Sequence, residues 1–182
     1  MKLKYFLIFL LVMSSYFIIN QLNYNREIYN FSISIDSLIP FISWMVYFYF
    51  LYFILILIPF FELDNKKVTL NYCIAIIISD LFFIILPTSI YRPETTNFLL
   101  NLLYKLDHSY NLFPSLHASL LTISFILLFK EKKYLSYKLL PLFLLSLIST
   151  LLIKQHYIID IISGILLGFI VMFISKKFEK VI

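Results

Sequence analysis

The chain has 182 residues, 62% of them hydrophobic, 19% aromatic and only 14% charged, with a formal net charge of +5 and a mean hydropathy of +0.93. A soluble domain is roughly 45–50% apolar and about 25% charged, so this composition excludes one and specifies an integral membrane protein. About six crossing helices of ~20 residues with short connections would use nearly the whole length, which leaves one all-α domain over residues 1–182.

The first apolar run, residues 5–19, follows Lys2 and Lys4 as in a signal peptide. No small-residue cleavage pattern comes after Ser14 and Ser15, so it reads as an uncleaved helix. Residues 20–35, rich in Asn, Tyr and Ser, read as a surface loop or interfacial segment. Runs at 38–61, 68–90, 112–129, 139–153 and 157–174 complete a six-helix bundle, each approaching or reaching the length that crosses ~30 Å of hydrocarbon. The first and fifth runs are the shortest. Asp80 sits near the middle of the third, where a carboxylate either bonds a neighbouring helix or marks an ion or substrate path. Cys73 is the sole cysteine and reads as packing, while Gly164 and Gly168 form a small-xxx-small pair that packs helices.

The basic residues set the orientation. One side of the six spans receives Lys2, Lys4, Lys66, Lys67, Lys130, Lys132, Lys133, Lys138, Lys176, Lys177 and Lys180, and the other only Arg26, Arg92, Lys105 and Lys154. The positive-inside rule makes the first side cytoplasmic, with both termini, in a multi-pass cell-membrane protein. The lysine excess is what insertion requires, and no basic-aromatic surface for nucleic acid accompanies it.

Three polar sites fall on the outer face, all at helix ends. Arg92 follows the third span, and Pro93 forbids helical continuation there. The segment Pro114-Ser115-Leu116-His117 opens the fourth span, where proline leaves the following N–H groups free for an anion. The segment Lys154-Gln-His-Tyr-Ile-Ile-Asp160 opens the sixth. His156 and Asp160 are four residues apart and share a helical face, so the carboxylate can hold the imidazole in one tautomer, as a nucleophile or base needs. Arg92 and Lys154 suit phosphate oxygens, the first as a fork and the second as a point charge. Together with Ser115, His117 and His156 they describe phosphoryl transfer. No cluster of external carboxylates for Mg²⁺ is present, so no metal or other cofactor is expected, and imidazole can attack phosphorus directly. His108 lacks a spaced partner and reads as a hydrogen-bonded anchor.

These residues resemble the type 2 phosphatidic acid phosphatase (PAP2) superfamily of membrane lipid phosphatases and phosphotransferases. Its three motifs, K-x6-R-P, P-S-G-H and S-R-x5-H-x3-D, match here as Arg92-Pro93, Pro114-Ser115-Leu116-His117 and Ser149-Thr150-x5-His156-x3-Asp160, in order, within residues 92–160. The family lysine falls at Ile85, its glycine at Leu116 and its second arginine at Thr150, so two phosphate-binding cations are missing. Lys154 stands where it could replace one, and the Lys-Gln-His-Tyr-x-x-Asp form resembles a branch that includes inositol phosphorylceramide synthases. The resemblance implies that His156 attacks phosphorus, Asp160 orients its ring and His117 protonates the departing alkoxide. Arg92, Lys154 and Ser115 would then bind the phosphate. The expected substrate is a lipid phosphate such as a polyprenyl pyrophosphate, phosphatidate or phosphatidylglycerol phosphate. Head-group transfer to another acceptor is the alternative reaction, and a non-catalytic transport or helper protein built around Asp80 is the alternative class.

Overall fold

The computed structural model describes residues 2–179; Lys180, of the lysine set expected on the cytoplasmic side, lies outside them, as does the side chain of Lys177. Among the described residues the protein is all-helical, with α1 Leu3–Leu22, α2 Val46–Tyr49, α3 Leu51–Glu62, α4 Asn65–Ile85, α5 Phe98–Leu106, α6 Leu116–Glu131, α7 Lys133–Leu152 and α8 Ile158–Glu179. A 3₁₀ turn at Ser43–Met45 leads into α2, and Ser43–Glu62 acts as one span. Five helices are long and apolar enough to cross a membrane, consistent with a multi-pass membrane protein: Leu3–Leu22, Ser43–Glu62, Asn65–Ile85, Lys133–Leu152 and Ile158–Lys176.

The fourth expected span differs. The apolar run 112–129 becomes α6, of 16 residues, which rises only about 24 Å. Its first residues do not join the helix, because Pro114 sits in a turn and Ser115 caps α6, its hydroxyl accepting the Ala118 N–H at 3.2 Å. The short helix is the central one. It packs against α3, α4, α7 and α8, and Leu120, Leu121, Ile123 and Leu127 are fully buried. The runs expected to be shortest, the first and fifth, are 20-residue helices. The third ends at Ile85, before Pro87, and its last turn is lost to an extended segment. No run had predicted α5, an amphipathic helix capped by Asn97, whose side chain accepts the Leu100 N–H.

Polar side chains tie α1 to α4 across the apolar core. Ser15 Oγ donates to Asp80 Oδ2 at 2.5 Å and Thr69 Oγ1 to the Tyr5 carbonyl at 3.0 Å. Asp80 thus makes the interhelical bond that is its structural reading. The two glycines of α8 are needed where it crosses α6: a Cβ at Gly164 would collide with the Ser115 carbonyl and with Ala118 Cβ, and one at Gly168 with Thr122. This close crossing sets the two helix starts that carry His117 and His156 side by side.

Candidate active site

Two helix beginnings build the site. Ser115 caps α6 and puts His117 in its first turn. At the end of α7, Lys154 adopts a left-handed conformation with φ 53°, which folds the chain back so that the Gln155 and His156 N–H groups both donate to the Thr150 carbonyl, at 2.8 and 3.3 Å. The main-chain N–H of Ser115 then donates to the Asp160 carbonyl at 2.9 Å, locking the starts of α6 and α8 together.

The imidazoles meet across this joint. His117 Nδ1 lies 3.0 Å from His156 Nε2, and both residues are buried. Behind His156, Asp160 Oδ2 stands 3.7 Å from Nδ1, an ion-pair distance. Asp160 is fully buried and its Oδ2 accepts the Tyr157 N–H at 2.8 Å. On the other side, the Tyr49 hydroxyl lies 2.6 Å from His117 Nε2, and the Tyr52 ring packs 4.6 Å, centroid to centroid, from the same imidazole. His117, 39 residues from His156 in sequence, therefore joins the His156–Asp160 pair in one buried line that ends in Tyr49.

Arg92 is held beside this line without a carboxylate on its guanidinium. Its Nη1 donates to the carbonyls of Asp107 at 2.5 Å and Tyr104 at 3.4 Å, and the guanidinium lies 4.6 Å over the Tyr104 ring. Its Nε has no hydrogen-bond partner. The carboxyl of the half-buried Asp107 receives Tyr16 OH at 2.7 Å and Gln155 Nε2 at 3.2 Å. Burial pushes the Asp107 carboxyl above its ordinary pKa, against the Arg92 charge and these donors. Burial likewise lowers the Arg92 guanidinium, with Asp107 opposing.

Lys154 is turned away from the histidines. Its Nζ donates to the carbonyls of Ile39 at 2.6 Å and Asp36 at 3.4 Å. The buried Asp36 carboxylate accepts the Ile158 and Ile33 N–H groups, at 2.9 and 2.8 Å. Asp36 and Ile39, just past the segment 20–35 expected to be a surface loop or interfacial segment, thus pack onto the start of α8. Ser115 spends its hydroxyl on the helix cap. His108 sits among Tyr24 and Tyr110, with its carbonyl accepting from Asn20, and stays outside the site. Among the described residues no group of three His, Cys, Asp or Glu side chains is arranged to hold a metal ion.

Two cavities reach the histidine pair from different sides. One, of about 220 Å³, is almost wholly apolar and is lined by Met13, Phe53, Leu106, Tyr49 and His117. The other, of about 530 Å³, is a cleft of mixed character lined by Asp36, Ile90, Leu151, Lys154, His156 and Tyr157. Tyr49, Asp107 and Gln155 are the site members that sequence reasoning missed. Gln155 adjoins a motif histidine, and Asp107 is a carboxylate in the connection before α6, so each carried a weak signal; Tyr49 carried none.

Residues 68–181 match the family model described as the PAP2 superfamily. The chain is also similar to an uncharacterized protein of Methanocaldococcus jannaschii, 42% identical over 71 residues, which is 38% of this chain and 27% of that protein. The chain thus spans about a quarter of the length of that curated relative. No solved structure matches it.

Proposed function

The chain belongs to the PAP2 superfamily, and from that premise we propose that it is a metal-independent lipid-phosphate phosphatase working through a phosphohistidine on His156. The observation that carries this reading is the buried contact of 3.0 Å between His117 Nδ1 and His156 Nε2, with Asp160 behind His156. A nucleophilic nitrogen and a proton-exchanging nitrogen then face the same point. His156 Nε2 attacks phosphorus while its Nδ1–H, turned toward Asp160, keeps the lone pair on Nε2. His117 protonates the leaving oxygen, and later takes a proton from the water that discharges the intermediate. Arg92, Lys154 and Ser115, with the main-chain N–H groups at the start of α6, are the groups assigned to the phosphate oxygens. For the two cations this means exchanging carbonyl partners for phosphate.

The apolar cavity against His117 supports a lipid leaving group, a phosphomonoester or pyrophosphate of a membrane lipid. The mixed cleft at His156, with Asp36 and Lys154 on its wall, favours a second reading, transfer of the phosphoryl head group to an acceptor alcohol, as in the inositol phosphorylceramide synthase-like branch. The lysine asymmetry supports an extracytoplasmic site with both termini inside and six spans, α6 being a short, protein-wrapped sixth. The interhelical bond of Asp80 to Ser15 gives the transport or helper reading no support.

The test is a panel of diacylglycerol, polyprenyl and sphingoid phosphates in detergent with EDTA, comparing wild type with His156→Ala and assaying phosphate release against acceptor modification. Rapid quenching should trap an acid-labile phosphoenzyme in the wild type and none in the variant. Undiminished hydrolysis by His156→Ala, or none by the wild type on any lipid phosphate, would sink the phosphatase reading.

A further inference from the structure

Tyr49 lies outside the three motifs and outside the residues 68–181 that match the family model, yet its hydroxyl is the partner of His117 Nε2 at 2.6 Å. Both groups are buried, so neither can trade this bond for bulk water, and an unpaired imidazole nitrogen there would be costly. Tyr49 ends α2, and Tyr52 follows three residues later on the same face, so the two rings flank the imidazole and fix its plane.

The direction of the Tyr49–His117–His156 hydrogen bonds follows from the carboxylate beyond them, which stands near His156 Nδ1 without a hydrogen bond to it. The buried Asp160 carboxylate, 3.7 Å from His156 Nδ1, disfavours a bare lone pair on that nitrogen and favours Nδ1–H. His156 Nε2 then bears the lone pair, so His117 must donate to it from Nδ1. His117 Nε2 is left as an acceptor, and only the Tyr49 O–H is there to donate to it. The reverse direction would put a lone pair against the carboxylate.

We infer that Tyr49 is a positioning residue, whose hydroxyl occupies His117 Nε2 and so confines proton transfer to His117 Nδ1, the nitrogen that faces the nucleophile. A hydroxyl both donates and accepts, so it satisfies Nε2 in either state of the ring. It donates to the neutral ring and accepts from the Nε2–H of the imidazolium that forms when a phosphate anion binds together with one proton taken up from solvent. This rests on the phosphatase reading. As the His156 Nε2 lone pair forms the N–P bond, the P–O bond breaks with its electron pair going to the lipid oxygen, which takes the Nδ1 proton. The ring left behind holds its remaining proton on Nε2, against the Tyr49 oxygen. In the second step water attacks phosphorus and gives its proton to Nδ1, while the N–P electron pair returns to His156. Without the Tyr49 hydroxyl, Nε2 loses its partner and either nitrogen can hold the proton.

The experiment uses full-length protein in detergent, labelled with ¹⁵N-histidine. The chain has only three histidines, so His108→Asn and His156→Ala spectra assign the resonances. The free wild type should show His117 protonated on Nδ1 with an acceptor Nε2, and Tyr49→Phe should shift that equilibrium. In turnover of a lipid phosphate, Tyr49→Phe should lower kcat tenfold or more with KM changed less than threefold, whereas Tyr52→Phe, which also touches the ring, should stay within about threefold in kcat. A His117 that carries its proton on Nε2 in the free wild type, spectra unchanged by Tyr49→Phe, or kcat within twofold of wild type would each overturn the assignment. A wild type without activity would sink the phosphatase reading instead, and the free-protein spectra would still decide the Tyr49 bond.

Discussion

Two connections bring a cation to the site, and they hold it by opposite means. Between α4 and α5, Arg92, half-buried like Lys154, is stacked on Tyr104 and fixed to the carbonyls of Asp107 and Tyr104. Between α7 and α8, Lys154 is half-buried, sits on a left-handed backbone and reaches to the carbonyls of Ile39 and Asp36. Neither charge meets a carboxylate oxygen, so each can move to a phosphate oxygen without stranding a buried anion. The difference lies in freedom. The arginine is part of the packing, and a substrate must come to it; the lysine ties down the segment over the start of α8, and a substrate can draw it inward.

Arg92→Ala should therefore have the largest effect of any change outside the histidine–aspartate line. It removes a charge-assisted donor, about 1.5–3 kcal/mol or one to two orders of magnitude in kcat/KM, and leaves two carbonyls short of a partner, about 1–3 kcal/mol in stability. Parallel kinetics and thermal unfolding test it. A variant that loses activity while unfolding at the wild-type temperature would mean that Arg92 is as free as Lys154, and the contrast would collapse. Arg92→Lys should recover little, since an ammonium has neither the planar face stacked on Tyr104 nor the further fork nitrogens that would be left for a phosphate.

Much of this was legible in the sequence, and what was not has a common cause. Apolar run length found the spanning helices, and the i, i+4 spacing of His156 and Asp160 predicted the face they share, because both are local properties. The motifs also paired His117 with His156, 39 residues apart. Tyr49 is 68 residues from His117 and is one of 14 tyrosines in a chain rich in aromatics, so nothing local marks the one hydroxyl that meets an imidazole. The short α6 was hidden by Leu112 and Phe113, which are apolar but belong to the turn before the cap. Charge alone suggested that Arg92 and Lys154 are free to bind phosphate; their carbonyl partners belong to other elements and cannot be read from neighbours in the chain.

Lys154 offers a smaller and cleaner separation. Lys154→Ala should cost about tenfold in kcat/KM by removing the cation and its tether. It keeps a Cβ at φ 53°, where an L side chain costs roughly 1–2 kcal/mol. Lys154→Gly removes the same cation but relieves that cost, so it should be about 1 kcal/mol more stable than Lys154→Ala at similar activity. Equal unfolding temperatures would show that the turn carries no such strain.

Asp107→Asn gives the smallest effect and reports on the environment that Arg92 shares. Burial raises the Asp107 carboxyl in the folded chain, so the folded state keeps its proton to higher pH than the unfolded state does. Stability from this group is then present at low pH and falls as pH rises from about 4, an ordinary value for an unfolded aspartate, through the raised folded value. Asparagine does not titrate there. The stability of wild type relative to Asp107→Asn, followed by thermal unfolding in detergent, should therefore decline across that window, whatever the offset from the altered bonds to Tyr16 and Gln155. In an Arg92→Ala background the opposing cation is gone, so the decline should extend to higher pH. A difference that grows with pH would mean that Arg92 and the two donors outweigh burial, and that Arg92 acts on Asp107 as an ion-pair partner and not only as a guest of its carbonyl.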